Sequence, residues 1–213
     1  MKRNSELRSE ALQALEGNWG SAALVTFVAM AITSICGSIL QIGGTRFVSS
    51  DLGSISSILG TIVCLPISYA LTVAFLRLLR GVQIGVNDLF AYYNKRVFIT
   101  MLLKFFYVIL WSLLLVVPGI IKSYSYAMTE FLMLDDPELE KNKAIEKSME
   151  MMSGNKMRLF LLDLSFIGWI LLCILTLGIG VILLEPYIET AHAAFYEDLK
   201  AEKEAQSEYV KNI

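Results

Sequence analysis

The stretch VFITMLLKFFYVILWSLLLVVPGIIKSYSYAMTEFLMLDD, residues 97–136, decides the fold. Its first 21 residues, 97–117, are almost wholly apolar. At about 1.5 Å per residue they cross roughly 30 Å of hydrocarbon as a helix. Pro118-Gly119 then interrupts the run. If the chain left the membrane here for good, the segment 122–157 would lie outside the cell. That segment carries Lys141, Lys143, Lys147 and Lys156, with Arg158 just beyond it. Exterior loops of membrane proteins are poor in lysine and arginine, so this arrangement is disfavoured. The better reading makes Pro118-Gly119 a tight outer turn and sends the chain back through 119–135, since short connections between antiparallel helices are normal.

Composition sets the frame for that reading. Of 213 residues, 55% are apolar and 18% charged, against roughly 25% charged in an ordinary soluble domain. The mean hydropathy is +0.59. A net charge of −2 gives no field suited to nucleic acid, and none is expected as a partner. Cys36, Cys64 and Cys173 all sit in apolar stretches without paired spacing, as buried thiols do. Neither a disulfide framework nor a cysteine metal site is indicated.

Three further apolar stretches are plain, at 20–42, 54–79 and 158–178. The first is 23 residues long and follows a polar segment of 19 residues, so it reads as a spanning helix and not as a cleavable leader. Gly178-Ile179-Gly180 repeats the punctuation of Pro118-Gly119 and implies a second outer turn, with a return through 180–197. Six passes result, arranged as three helical hairpins. Of 18 basic residues, 15 then fall at the inner face: three before residue 20, four in 77–96, five in 141–158 and three after 199. Arg46 falls outside, and Lys104 and Lys122 fall in or beside spans. The returns also share a look, in YALTVAF (69–75), YAMTEFL (126–132) and TAHAAFY (190–196). Either internal repetition or a common need for small residues at close helix contacts would produce it.

Between the spans lie expected surface helices. Residues 5–16 place Leu7, Ala11, Ala14 and Leu15 on one face, with Gly17 as the stop and Trp19 at the interface. Asn87-Asp88 begins a short aromatic segment with Leu89, Phe90, Tyr92 and Tyr93. Residues 136–153 open on Asp136-Pro137-Glu138, an N-cap with proline and acid in the first turn. They carry the stripe Ile145, Ser148, Met149 and Met152 and stop at Gly154. This helix is expected to lie on the membrane or, alternatively, to dock a protein partner through its methionines. The residues from 200 to 213 read as a charged cytoplasmic tail on a single embedded domain, 1–199.

Charges inside a bilayer are costly, so each needs an account. Helix rise puts Lys104, Glu130, Asp163 and His192 at similar depth, each about 7–10 Å from an inner helix end. Glu185, Glu189, His192 and Tyr196 share one face of the last helix. Two readings of this layer stand. It is a polar cavity open to the cytoplasm, taking an ion or lipid headgroup through Lys104, Glu130, Asp163, Glu189 and His192. Alternatively, it is a set of structural pairs, such as Lys104 with Asp163. No metal, cofactor or catalytic motif is expected: one histidine lacks zinc-ligand spacing, no phosphate-cradling GxxxxGK[ST] occurs, and the serines near Gly37, with Ser54 and Ser57, form no nucleophile elbow.

The blocks GNWGSA, DLF at 88–90, PGIIKSYSYAM at 118–128, DDPE…AIEKSMEMM and LFLLDLSFIGWILLCILTLGIG followed by EPYIETAHAAFYEDL together resemble the domain-of-unknown-function 975 family. The resemblance implies a bacterial integral membrane protein, multi-pass in the cell membrane, with no functional residue to transfer. The architecture is also distantly similar to the membrane domain preceding some bacterial glycerophosphodiester phosphodiesterases, whose catalytic domain has no counterpart in this sequence. The expectation is an all-α polytopic bundle with both termini cytoplasmic and the lipid bilayer as its medium. Its role is that of a non-catalytic scaffold, assembly or accessory protein. The alternative is a small lipid- or solute-handling protein that uses the inner polar layer.

Overall fold

The computed structural model describes residues 2–47, 50–139 and 141–211, as helices joined by short turns, with no strand among the described residues. Four helical stretches are long and apolar enough to cross a membrane. They are Trp19–Ser38, within α2 (Trp19–Phe47); Ile62–Leu79, within α3 (Ser50–Leu79); Lys95–Leu113, within α5 (Lys95–Leu114); and Lys156–Leu175, spread over α9 (Lys156–Leu164) and α10 (Ile167–Leu175). The expected returns at 119–135 and 180–197 are helical but fall outside these four. The first comprises α6 (Val116–Ser125) and α7 (Thr129–Asp135), and the second is the opening half of α11 (Val181–Lys211).

Burial explains the difference. In Ile62–Leu79, 56% of the residues are buried, against 22%, 17% and 22% in the other three stretches. Helices α3, α7 and α11 form the inside of the bundle. Phe75, Met128, Phe131, Leu132, Phe195 and Tyr196 meet in one cluster, where Phe131 stacks on Tyr196 at 5.0 Å between ring centroids. These residues come from the three look-alike segments 69–75, 126–132 and 190–196, whose alanines and threonines let the backbones approach. Helices α2, α5 and α10 form an outer layer and expose Phe27, Phe106, Leu113, Leu172 and Leu175. Burial among neighbours lets α7 and α11 carry polar residues that would be costly on an exposed apolar face.

The two turns expected on the outer side differ from each other. The expected turn at Pro118-Gly119 sits three residues earlier, at Leu115, which is extended at φ −164° and ψ 142°. A proline inside a continuous helix clashes with the carbonyl four residues back. For Pro118 that residue is Leu114, where α5 ends. Pro118 itself occupies the first turn of α6, where its missing N–H costs nothing. Gly119 then packs on α5, because a Cβ there would come within 2.8 Å of the Ser112 Cα. The second turn is where the glycines put it, at 176–180, with Leu177 at φ 53° and Gly178 at φ 85°. Residues 48 and 49, between α2 and α3, lie outside the described residues, as do the side chains of Arg46, Ser54 and Ser57.

Both expected surface helices are packed instead into the protein. In α1 (Asn4–Leu15), Leu7, Ala11 and Leu15 are fully buried in the main cluster with residues of α11 and α3, and Gly17 stops the helix at φ 80°. The helix expected at 136–153 starts later, as α8 (Lys141–Met151). Asp136 is the C-cap of α7, and its carboxylate accepts from the Glu138 amide at 3.3 Å in a local turn. The α8 stripe faces the bundle: Ala144, Ile145, Ser148 and Met152 are buried. Ser148 explains why. Its hydroxyl donates to the Ser125 carbonyl at 2.9 Å and accepts from the Met128 amide at 3.1 Å. It thereby satisfies backbone groups freed where α6 breaks into α7, which otherwise would be buried without partners. The short α4 (Asp88–Ala91) is held by Asp88, which pairs with Arg77 and accepts from the Gly85 amide.

Candidate functional site: an embedded network of ionisable groups

Helices α5, α7, α9 and α11 bring all five residues of the expected polar layer into one region, but the pairing differs from the one proposed above. Lys104 of α5 pairs with Glu130 of α7, Nζ to Oε1, at 2.6 Å. Asp163 of α9 pairs with His192 of α11, Oδ1 to Nε2, at 2.6 Å. The Lys104–Asp163 pair is therefore corrected. Asp163 has no oxygen to spare, since Oδ2 accepts from the Tyr124 hydroxyl at 2.8 Å. Depth along each helix was readable from the sequence, whereas rotation about its axis was not.

Glu189 completes the set. One turn of α11 outward from His192, it faces that ring, Glu185, Thr72 and Glu130. The order Lys104, Glu130, Glu189, His192, Asp163, Tyr124 thus crosses five helices. Two carboxylate oxygens within it, Glu130 Oε2 and Glu189 Oε2, are buried with no hydrogen-bond partner among the described residues. No group of three or more histidine, cysteine, aspartate or glutamate side chains among the described residues is arranged to hold a metal.

Below this layer, towards the helix ends rich in basic residues, a second cluster ties the inner helices together. Arg80 grips Asp135 with two parallel hydrogen bonds, at 2.7 and 3.0 Å, and donates Nε to Glu197 at 2.7 Å. Tyr196 donates to Asp135 at 2.9 Å, and Lys200 joins the same carboxylate. Bidentate arginine–carboxylate contacts are the strong kind, and this one fixes α3, α7 and α11 at one level. Nearby, Arg158 reaches Asp198 at 2.8 Å, and the Lys2 amide donates to both oxygens of Asp198 at 3.1 Å. Burial pushes the Asp198 carboxyl up, but the Arg158 bond and the Lys2 amide bring it, on balance, below the ordinary aspartate value. Neither cluster was singled out from the sequence. Their one legible signal is the coincidence of charged residues with the inner ends of inward-facing helices.

Four helices long and apolar enough to cross a membrane, with apolar side chains exposed outside and charge pairs inside, are compatible with a multi-span membrane protein that is helical throughout its described elements. Residues 100–203, from α5 into α11, match the family model described as Protein of unknown function (DUF975), and that segment belongs to this family. No curated protein and no solved structure matches the chain.

Proposed function

We propose that the protein is a non-catalytic component of the bacterial cell membrane, a scaffold, assembly or accessory protein. It crosses the bilayer six times as three hairpins, with both termini in the cytoplasm. One observation carries the role: the embedded ionisable groups are engaged with one another across α5–α7 and α9–α11, the way groups that hold helices together are arranged. Six passes are supported by the position of the two short or polar returns. Their inward parts, α7 and the α11 stretch around 190–196, are buried among the other helices, and short or polar membrane-embedded backbone is tolerated where protein buries it. A partner would meet the solvent face of α8, with Glu146, Lys147 and Glu150, because its apolar stripe is already covered.

The topology is tested in a cysteine-free background. Leu177→Cys, at a position 93% exposed in the second outer turn, takes up a membrane-impermeant maleimide on intact cells. Ala205→Cys reacts only after permeabilisation. Labelling of Ala205→Cys in intact cells overturns the six-pass reading. The role is tested by crosslinking from Glu146 and Glu150, which yields a stoichiometric protein partner.

One observation favours solute handling instead, namely the two unpartnered oxygens of Glu130 and Glu189. Sodium or potassium binding by titration calorimetry, lost in Glu189→Gln, moves the assignment to that reading.

A further inference from the structure

Arg8 stands apart from the paired cations. It lies on α1, half-buried, and has no carboxylate partner among the described residues. Its Nε donates to the Tyr187 hydroxyl at 3.1 Å and its Nη1 to the Ser165 carbonyl at 3.5 Å, where α9 breaks from α10. The guanidinium also lies over the rings of Phe166, at 5.2 Å, and Tyr187, at 5.9 Å. Five N–H donors less the two in use leave three. A positive charge set among aromatic rings and helix carbonyls, with donors left over, is an incomplete site for an oxyanion.

The space beside it fits the rest of a ligand. Arg8 lies at one end of a cavity of about 650 Å³ between α1, the start of α2, α10 and the start of α11. Trp19 and Tyr187 flank that end, and Trp169, Leu172 and Leu183 line the apolar remainder towards the 176–180 turn. The volume lies within the range of small-molecule sites. The lining leucines and Trp169 are half exposed on the outer face of the bundle, continuous with the surface that meets lipid.

The geometry points to a built site for one anionic phospholipid, its phosphate drawn in to Arg8 and one acyl chain in the cavity. A solute would have no use for an apolar wall open to lipid. A neighbouring protein segment would have to carry its own acid into the bilayer. A phospholipid brings both parts already joined, an oxyanion for the guanidinium and an acyl chain for the apolar wall. The site rests on the membrane placement above but is independent of the Lys104–Glu130 and Asp163–His192 pairs.

The test uses the full chain purified in detergent, incubated with dioleoyl phosphatidylglycerol or dioleoyl phosphatidylcholine and read by native mass spectrometry. One phosphatidylglycerol is retained per chain, with phosphatidylcholine retained about fivefold less, the discrimination one basic residue near a membrane surface supplies. Arg8→Gln brings phosphatidylglycerol down to the phosphatidylcholine level. Leu183→Trp fills the cavity from a half-exposed position and removes both lipids while leaving Arg8 in place, so it decides the matter even if Arg8→Gln does not fold. Equal retention of the two lipids by the native chain overturns the proposal. So does undiminished phosphatidylglycerol in either folded variant, or a lipid-free dimer that covers the cavity. None of these outcomes bears on the maleimide result, which tests the topology separately.

Discussion

Replacing Lys104 by methionine keeps the length and apolar body of the side chain and deletes its charge. Nζ lies 2.6 Å from Glu130 Oε1, and the two side chains are only 22% and 13% exposed. Glu130 Oε2 already lacks a partner, so the variant leaves a carboxylate with neither oxygen bonded. The cheapest escape is proton uptake. For a carboxyl that ordinarily titrates near 4.3, neutralisation at pH 7 costs about 3.7 kcal/mol, which caps the loss. That cap agrees with the roughly 3–5 kcal/mol measured when one member of a buried pair is removed. Glu130→Leu strands an ammonium instead, with a cap of about 4.6 kcal/mol. A lysine can bend its long stem towards the headgroups, so the observed loss stays below that cap. Lys104→Met with Glu130→Leu removes both charges and should cost only about 1 kcal/mol. The assay is reversible unfolding in mixed lipid–detergent micelles, followed by tryptophan fluorescence. Lowering the pH from 7 to 5 should recover up to about 2.7 kcal/mol of the Lys104→Met loss, at 1.36 kcal/mol per unit. Single losses that add within about 0.5 kcal/mol, or a Lys104→Met loss indifferent to pH, would refute the coupling.

Ser148→Ala should destabilise by about 1–3 kcal/mol, since the Met128 amide and the Ser125 carbonyl lose a buried partner; faster hydrogen exchange at the Met128 amide localises the effect. Gly119→Ala should cost about 1–3 kcal/mol in the same unfolding assay, and Ser112→Gly should rescue it only in part, because the Ser112 Cα still lies 2.8 Å from the new methyl. The Asp198 carboxyl sits below its ordinary value of 3.8 in the folded chain. Its contribution is therefore fully present above that ordinary value and is lost as the pH falls through the lower, folded one. Asp198→Asn should be less stable at pH 7 but lose less than the native chain as the pH drops below 3.8, as read from thermal melts.

The positions of turns and helices were largely legible because they follow from local chemistry. Pro118, Gly178 and Gly180 each follow a long apolar run and mark its end, whereas Pro66 and Pro186 lie inside continuous helices, and the long apolar runs need no partner to be recognised. What the sequence concealed was which face of each helix turns inward. Leu7, Ala11 and Leu15 look alike whether they face lipid headgroups or the side of α11, since both environments reward an apolar stripe. The same holds for the α8 stripe, where only Ser148 differed, and its role depends on a helix break some 20 residues earlier. The polar layer was found because depth follows from a constant helix rise. Its pairs were misassigned because partner choice depends on rotation and on the order of helices around the bundle, and Lys104 had two carboxylates at a suitable depth. Tyr124 was missed for the same reason: a tyrosine among apolar residues carries no mark of the acid it will meet.

The unbroken run of α11 has a mechanical consequence. From Val181 to Lys211 it is one helix of 31 residues, with Pro186 in its second turn, so the stretch beyond that proline cannot slide in parts. A shift by one residue advances the rod about 1.5 Å and turns it about 100°. That single step swings His192 off Asp163, Tyr196 off Asp135 and Asp198 off Arg158 together. The charged side chains of its neighbours act as a pawl, and α11 as a notched shaft whose next resting place lies a whole turn away, about 5.4 Å along. Anything that grips the tail beyond residue 200 therefore works against every polar contact of the helix at once.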